Sequence, residues 1–181
     1  MHSDIKEILV TEEQIDKIVK DIAEQIDRDY RGRDKKLLLL CILKGSVVFM
    51  GEIMKHVTVP VEIDFMKVSS YGSGTTSGRL NIILDLHRDN LQDTDIIIIE
   101  DIIDSGKTLA YLKKYLELKG ANSVRTCTLL DKPSRREVDL VPDYTGCEIP
   151  DEFVVGFGLD YDEKYRNLPF VGILKPEVYS N

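Results

Sequence analysis

Apolar runs of strand length alternate along this chain with segments of helical period. Leucine-rich or β-branched runs occupy residues 37–43, 59–68, 80–86, 96–99, 124–130 and 171–174, and such runs are typical of strands in a buried sheet. Apolar residues recur at helical period in three segments: 12–30, from residue 47 onward, and 109–120. A capping-box pattern from Thr11 to Gln14 precedes the first segment, and Gly120 is the expected C-terminal cap of the third. Alternation and glycines favour one more strand within 150–161. The pattern predicts an α/β fold with a mostly parallel central sheet flanked by helices.

The stretch from residue 96 to residue 108 carries the clearest candidate chemistry. Glu100, Asp101 and Asp104 follow the apolar run within five positions, and a small-residue turn leads from there into the helix at 109. Ligands bind at this end of a strand in open α/β sheets. Backbone N–H groups, hydroxyls and a glycine at a helix amino end form a nest for a phosphate. We therefore predict a site for one phosphate, beside acids that face hydroxyls, a magnesium ion or a developing positive charge.

This stretch has two other interpretations. Gly106, Lys107 and Thr108 match the end of the nucleotide-triphosphate P-loop, G-x-x-x-x-G-K-[ST]. Asp101, however, occupies the position of the first glycine, where a carboxylate repels a triphosphate and blocks the backbone wrap. An ordinary strand–turn–helix with solvated acids is the simpler reading, but clustered like charges beside a phosphate nest are unusual without a ligand.

Residues 98–108 resemble the phosphoribosyl-pyrophosphate (PRPP) signature of the type I phosphoribosyltransferases. The shared pattern is two apolar residues, two acids, two apolar residues, an acid and then a small-residue turn. Further segments match that family in the same order. They are Leu43-Lys44-Gly45, Ser70-Tyr71, Lys132 and residues 153–166. The whole chain looks most like the bacterial hypoxanthine-guanine members. The resemblance implies a type I phosphoribosyltransferase fold, with a small hood formed by the two chain ends.

The resemblance also implies a role for each matching residue. The 5′-phosphate would bind at Asp104, Ser105, Gly106, Lys107 and Thr108, and pyrophosphate at Lys44, Gly45 and Arg166, with a cis peptide between Leu43 and Lys44. Ser70 and Tyr71 would belong to a lid that excludes water from the activated sugar. The 6-oxopurine base would contact Ile102, Lys132, Phe153, Val154 and Asp160. The catalytic residues would be Asp104, near the purine N7 as proton acceptor, and Glu100 and Asp101 on the ribose hydroxyls, with Mg²⁺ held by Glu100, Asp101 and Asp160.

Without the resemblance, several of these residues have plainer interpretations. Lys44 and Gly45 fit an ordinary turn, residues 69–78 fit a long hairpin connection, Lys132 fits a solvated strand end, and Phe153 fits a core position. By the resemblance, Lys132 donates to the exocyclic oxygen of the base. Such a donor disfavours adenine, because adenine carries an amino group in place of the oxygen. The amino group and the lysine are then two donors that face each other, and one of them is left without a hydrogen-bond acceptor.

Composition limits the remaining possibilities. The 181 residues are enough for one domain with a substantial core, and no repeat or composition break divides them, so a single domain over 1–181 is expected. A formal net charge of −8 disfavours nucleic acid and anionic membranes as partners. Cys41, Cys127 and Cys147 lack metal-ligand spacing, and the first two lie in apolar runs, as small core residues do. Residues 1–10 do not form a signal peptide, and the longest apolar run is too short for a bilayer, so the cytoplasm is the expected compartment.

The expected function is therefore purine salvage: Mg²⁺-dependent transfer of the phosphoribosyl group from PRPP to N9 of hypoxanthine or guanine, giving IMP or GMP and pyrophosphate. A homodimer or homotetramer is expected from the same resemblance. Two alternatives stay open within the enzyme class, a xanthine-preferring and an orotate-using relative. Lys132 and Phe153 favour a purine over orotate, but not guanine over xanthine. A nucleotide-sensing, RNA-binding regulator on the same fold would need an added basic surface, whereas this chain is acidic.

Overall fold

The computed structural model describes residues 3–70, 80–88 and 90–180. Its elements are, in chain order, β1 (Ile5–Val10), α1 (Glu12–Tyr30), β2 (Lys36–Ile42), α2 (Val47–His56), β3 (Glu62–Ser70), β4 (Leu80–Leu84), β5 (Thr94–Ile103), α3 (Lys107–Leu118), β6 (Ser123–Asp131), β7 (Tyr144–Glu148), β8 (Val154–Val155), β9 (Val171–Leu174) and α4 (Pro176–Tyr179). A short 3₁₀ turn, Pro133–Arg135, follows β6. No helix in the described ranges is long and apolar enough to span a bilayer.

Within the described residues, six strands form the central sheet in the order β4-β3-β2-β5-β6-β7. β4 runs antiparallel to β3, and all the other neighbours are parallel. The prediction of an α/β fold with a mostly parallel sheet is confirmed. Because parallel strands end at one edge of the sheet, the loops that follow β2, β5 and β6 meet there.

Helices cover both faces of the central sheet. Leu39 of β2 packs on one face with Ile22 of α1 and Phe49 of α2. Its neighbour Leu40 faces the opposite side, in a cluster with Leu112 of α3. Both faces are therefore apolar, which is why the central strands are continuous apolar runs rather than alternating ones.

The predicted helix ends are confirmed in detail. The side chain of Thr11 accepts the N–H of Gln14, and the side chain of Gln14 accepts the N–H of Thr11, which completes the capping box. At the end of α3, Gly120 has φ +91° and donates its N–H to the Glu117 carbonyl at 3.0 Å. The N–H of Ala121 binds the Leu116 carbonyl at 3.1 Å, as in a Schellman motif.

The two chain ends form a second sheet. β9 pairs antiparallel with β1 on one side and with β8 on the other. After β9, the N–H of Lys175 binds the carbonyl of Asp4 at 2.9 Å, which attaches the start of α4 to the beginning of the chain. This small sheet is the expected hood.

Several boundaries differ from the predictions. β5 continues to Ile103, so Glu100 and Asp101 lie in its last four residues rather than in a loop. The strand expected within 150–161 is only Val154–Val155, because the chain turns at Gly156, Phe157 and Gly158, where φ is +99°, +49° and +101°. β3 begins three residues later than expected, and β4 ends two residues earlier. β1, β7 and α4 were not predicted, since their charged residues and short length obscure any apolar period.

The cysteines lie where the sequence indicates. Cys41 and Cys127 are buried in the core, Cys147 is partly buried, and all three are free thiols. Burial raises the pKa of the Cys41 thiol to about 11, which keeps it protonated at neutral pH.

Candidate active site

The loop between β5 and α3, where an anion nest was predicted, is a glycine-containing turn held by neighbouring residues. Gly106 precedes the first turn of α3 with φ +78°, in the left-handed region. The segment after β6 holds this loop in place: the N–H of Glu137 binds the carbonyl of Ser105 at 3.0 Å, and Nε of Arg136 binds the carbonyl of Asp104 at 2.9 Å. The ammonium of Lys107 pairs with Glu137. The amino end of α3 therefore presents its free backbone N–H groups on a braced turn, as an anion site requires.

Gly106→Ala is expected to destabilise the protein by two separate effects. An L-residue in the left-handed region costs about 1–2 kcal/mol. The added Cβ would also lie 2.8 Å from Cγ2 of Val138 and 2.9 Å from Cδ of Arg136, and such overpacking costs a further ~1–3 kcal/mol. Gly32→Ala is the matched control, because Gly32 has φ +75° and no atom within 4 Å of its added Cβ. Urea denaturation should show the larger loss for Gly106→Ala, and equal losses would contradict the contact with Val138 and Arg136.

Two carboxylates lie side by side at the end of β5. Burial raises the pKa of Glu100 well above its usual range, and the negative charge of Asp101 raises this pKa further. The hydroxyl of Ser46 lies 3.5 Å from Glu100 Oε2, and its hydrogen bond offsets part of the rise. Burial also raises the pKa of Asp101 to about 6, although the N–H of Ile102 and the guanidinium of Arg166 act in the opposite direction. The ligand-free protein thus holds two carboxyl groups whose ionisation a cation would favour.

Glu100→Gln is expected to raise the melting temperature of the ligand-free protein near pH 8. Because the pKa of Glu100 is raised on folding, the stability linked to its proton is fully present below the unfolded pKa of about 4.5. That stability is lost as the pH rises through the folded pKa, whereas glutamine keeps it. The gain should appear in thermal unfolding scans at about 2–4 °C for each kcal/mol and should vanish near pH 4.

Glu62→Gln is the control for this substitution. The hydrogen bond from Arg88 lowers the pKa of Glu62, so that its ionised form is the one that folding favours. Its substitution should not raise the melting temperature at pH 8. A Glu100→Gln protein no more stable than the wild type at pH 8 would contradict the assigned direction of the Glu100 pKa.

The loop after β2 approaches Asp101 closely. The peptide bond between Leu43 and Lys44 is cis, as expected. A Cβ on Gly45 would overlap the carboxylate of Asp101, and a Cβ on Gly158 would overlap the carbonyl of Gly45. Only glycine fits at these two positions, so the loop after β2, the end of β5 and the hood meet without intervening side chains.

Charged side chains form a network at this junction. Arg166 donates from Nη1 to the carbonyl of Gly158 at 2.8 Å, and its Nη2 lies 2.8 Å from Asp160 Oδ1 and 3.2 Å from Glu163 Oε2. The ammonium of Lys44 lies 2.8 Å from Glu163 Oε1. The carboxylate of Glu163 therefore bridges the two cations that were predicted to bind pyrophosphate.

A cavity of about 340 Å³ opens between the β5 loop and the hood. It is lined by Ile102, Asp104, Lys132, Arg135, Asp151, Glu152, Phe153, Val154, Leu159 and Tyr179. Lys132 is 6% exposed, and its ammonium donates to the Glu152 carbonyl at 3.0 Å. Asp104 Oδ1 and Asp151 Oδ1 lie 3.6 and 3.9 Å from the same ammonium. Apolar walls, with a buried ammonium that lies within 4 Å of two of the lining carboxylates, suit a flat heterocycle that carries polar edges.

Phe153 gives this cavity its aromatic wall. The ring is 38% exposed, so it is not a core residue. Tyr179 stacks on it with ring centroids 4.8 Å apart and planes 21° apart, while Tyr161 meets it edge-on at 5.6 Å.

The structure thus brings together most of the predicted site residues. Residues 104–108, the loop at Lys44 and the residues that line the 340 Å³ cavity all lie at the carboxyl edge of the sheet. Asp160, which was predicted to contact the base, does not line this cavity, because Arg166 and the N–H of Glu163 bind its two carboxylate oxygens. Ser70 is the last residue of β3, and Tyr71 lies outside the described residues. Within those residues no group of three metal-ligating side chains is preformed, so Glu100, Asp101 and Asp160 do not make a closed metal site.

Sequence reasoning missed four residues of the site. Ser46 contacts Glu100, Glu163 bridges two cations, Gly158 contacts Gly45, and Tyr179 stacks on Phe153. Only Glu163 had a local signal, its spacing of three residues from Arg166. The others depend on contacts between distant parts of the chain.

Comparison with known proteins places these features in context. Residues 7–162 match the family model described as "Phosphoribosyl transferase domain". A hypoxanthine-guanine phosphoribosyltransferase of Streptococcus thermophilus (strain CNRZ 1066) is 50% identical over 181 residues, with 99% of each chain covered. One of Staphylococcus aureus (strain Mu50 / ATCC 700699) is 50% identical over 182 residues, with 100% of each chain covered. The crystal structure of a hypoxanthine phosphoribosyltransferase from S. aureus superposes with a TM-score of 0.94 at 50% identity, covering 100% of this chain and 97% of that one.

Proposed function

Since the chain belongs to the phosphoribosyltransferase family, we propose that it transfers the phosphoribosyl group of PRPP to N9 of hypoxanthine or guanine, in purine salvage. The products are IMP or GMP and pyrophosphate. The single observation that supports the choice of base is the cavity beside the β5 loop, which both the buried Lys132 and the ring of Phe153 line. The names of the 50% identical relatives support the same choice.

The 5′-phosphate of PRPP binds at residues 104–108. The braced turn and the amino end of α3 supply backbone N–H donors and a favourable dipole. Since Lys107 pairs with Glu137 at the surface, the backbone and the hydroxyls of Ser105 and Thr108 carry most of the recognition.

The pyrophosphate group binds between Lys44 and Arg166, beside the Gly45 backbone. These cations are held 2.8 and 3.2 Å from the two carboxylate oxygens of Glu163, a spacing that two oxygens of an anionic leaving group can replace. When pyrophosphate binds, it therefore replaces the Glu163 carboxylate as the partner of Lys44 and Arg166.

Glu100 and Asp101 hold the ribose hydroxyls. They lie at the end of β5, where pairing with β6 continues to Ile103, so their position is set by the sheet rather than by a loop. Their negative charge also stabilises the positive charge that develops at the anomeric carbon when the bond to pyrophosphate breaks.

These carboxylates and Asp160 have the chemistry of magnesium ligands. Mg²⁺ takes oxygen donors and is usually held by one or two carboxylates together with substrate phosphates and water, so a site that only the substrate completes fits the donor set of Glu100, Asp101 and Asp160. When bound, the ion supplies charge neutralisation for the leaving pyrophosphate.

The base lies in the cavity between Ile102 and Phe153. Lys132 donates to the exocyclic oxygen of a 6-oxopurine, and the backbone near Val154 contacts another edge of the base. Asp104 lies at the same cavity, where its carboxylate accepts the proton from N7 as N9 attacks the anomeric carbon. Ser70 and Tyr71 belong to the lid that closes over PRPP.

The surrounding assignments complete the proposal. The chain forms one domain over residues 1–181, works in the cytoplasm and assembles as a homodimer or homotetramer, with small-molecule substrates and no nucleic-acid or membrane partner. Its net charge of −8 supports the absence of a nucleic-acid partner.

A coupled assay tests the function directly. With PRPP and Mg²⁺, the protein is expected to turn over hypoxanthine and guanine and to leave adenine, the control, unchanged. Turnover of xanthine in preference to both would make it a xanthine-preferring enzyme. Salt-dependent binding to RNA with no purine turnover would replace the enzyme by a regulator.

A further inference from the structure

The last helix of the chain reaches the base cavity. α4 follows β9 directly, and Tyr179 at its end lines the same cavity as Ile102 and Lys132. It stacks on Phe153 with ring centroids 4.8 Å apart. In the proposed function the purine stacks on the ring of Phe153, and Tyr179 therefore covers one face of that ring. The cavity remains open with Tyr179 in place.

Tyr179 is itself held by the hood. Val178 and Tyr179 pack against the buried cluster of Ile5, Val155 and Leu174. The N–H of Lys175 binds the carbonyl of Asp4 at 2.9 Å, which fixes the helix start to the beginning of the chain. Contacts from both ends of the chain thus determine where this ring lies.

Phe153 is 38% exposed, and fixing the orientation of a partly exposed side chain on binding costs conformational entropy. Tyr179 on one face and Tyr161 at the edge hold the Phe153 ring in one orientation before the base arrives.

We propose that Tyr179 is a positioning residue for the base: it backs the Phe153 ring and forms the outer wall of the base pocket. This inference rests on the proposed function and assigns a part of the C-terminal helix to base affinity rather than to PRPP binding or chemistry. No atom of Tyr179 takes part in bond making or proton transfer.

Three variants test the proposal: Tyr179→Ala, Tyr179→Leu and Tyr179→Phe. Loss of the stacked ring should raise the KM for hypoxanthine about 2- to 12-fold in the alanine and leucine variants, the factor that corresponds to ~0.5–1.5 kcal/mol for an aromatic pair. The leucine variant keeps apolar bulk against the hood and so guards against loss of folding. Phenylalanine should restore the wild-type KM, while kcat and the KM for PRPP stay within about twofold in all three. Calorimetric titration with IMP should show the same order of affinities.

Tyr111→Ala is the matched control, because Tyr111 stacks on Tyr115 on α3, away from the cavity, with centroids 6.3 Å apart. It should leave the KM for hypoxanthine unchanged. An unchanged base KM in Tyr179→Ala would overturn the proposal, and a lowered one would show that Tyr179 competes with the base for the Phe153 ring. Wild-type turnover of hypoxanthine is measured in the same assay, so failure of the proposed function is seen separately.

Discussion

Asp104→Asn is expected to lower kcat on hypoxanthine by about 100- to 10,000-fold, the usual contribution of a general base, while the KM for PRPP changes little. The asparagine keeps the shape of the side chain but loses its negative charge and with it the ability to accept a proton. The backbone of the phosphate nest is unaffected, since its contacts run through the carbonyl of Asp104 and the 136–137 segment. Steady-state kinetics with each substrate varied in turn provide the measurement.

Asp151→Asn is the matched control for this prediction. Both carboxylates line the base cavity, both lie within 4 Å of the Lys132 ammonium, and both are about half exposed. If the loss in Asp104→Asn came only from a weakened ion pair with Lys132, Asp151→Asn would show a loss of similar size. Turnover unchanged in Asp104→Asn would remove Asp104 from the role of proton acceptor.

Lys132→Met should lower kcat/KM for hypoxanthine and guanine by about 10- to 150-fold. A hydrogen bond from a charged donor contributes ~1.5–3 kcal/mol, and each ~1.4 kcal/mol is a factor of ten. Methionine retains the unbranched apolar stem of a side chain that is 6% exposed, so packing is largely kept. Because methionine has no ammonium to face the amino group of adenine, the preference for hypoxanthine over adenine should fall as well.

Arg135→Met separates a specific donor from general positive charge. Arg135 lines the same cavity and binds Asp151 through Nε at 2.6 Å, but its side chain is 58% exposed. Exposed ion pairs contribute little free energy, so the loss of the Arg135 guanidinium should change kcat/KM by less than about fivefold. Equal effects of the two substitutions, or an unchanged adenine preference in Lys132→Met, would argue against Lys132 as the reader of the exocyclic oxygen.

Glu163 shows how a site can be arranged before its ligand arrives. Its carboxylate bridges Lys44 and Arg166, which come from opposite ends of the chain, and it is largely exposed. Both cations therefore remain near each other without the cost of burying unpaired charge. The exposed position of Glu163 allows an incoming anion to take its place.

The sequence predicted those parts of the site that depend on neighbouring residues. The phosphate nest, its acids and the start of α3 lie within thirteen consecutive positions, 96–108, and the signal there is local: a strand, a glycine-containing turn and a helix. The extension of β5 through Glu100 and Asp101 was missed, because pairing with β6, which continues beyond the last β2 pair at Ile99, offsets the weak strand preference of acidic residues.

The sequence alone therefore determined the order of the longer strands and helices, the mostly parallel sheet and the acidic, small-residue segment at its edge, since each follows from apolar period and local turn composition. Tertiary structure alone decided that Lys132 is buried, that Glu163 joins Lys44 to Arg166, and that Tyr179 lies on Phe153. The physical reason is that these contacts join residues up to 119 positions apart. Their distances are set by how the hood packs on the sheet, and no local pattern encodes that packing.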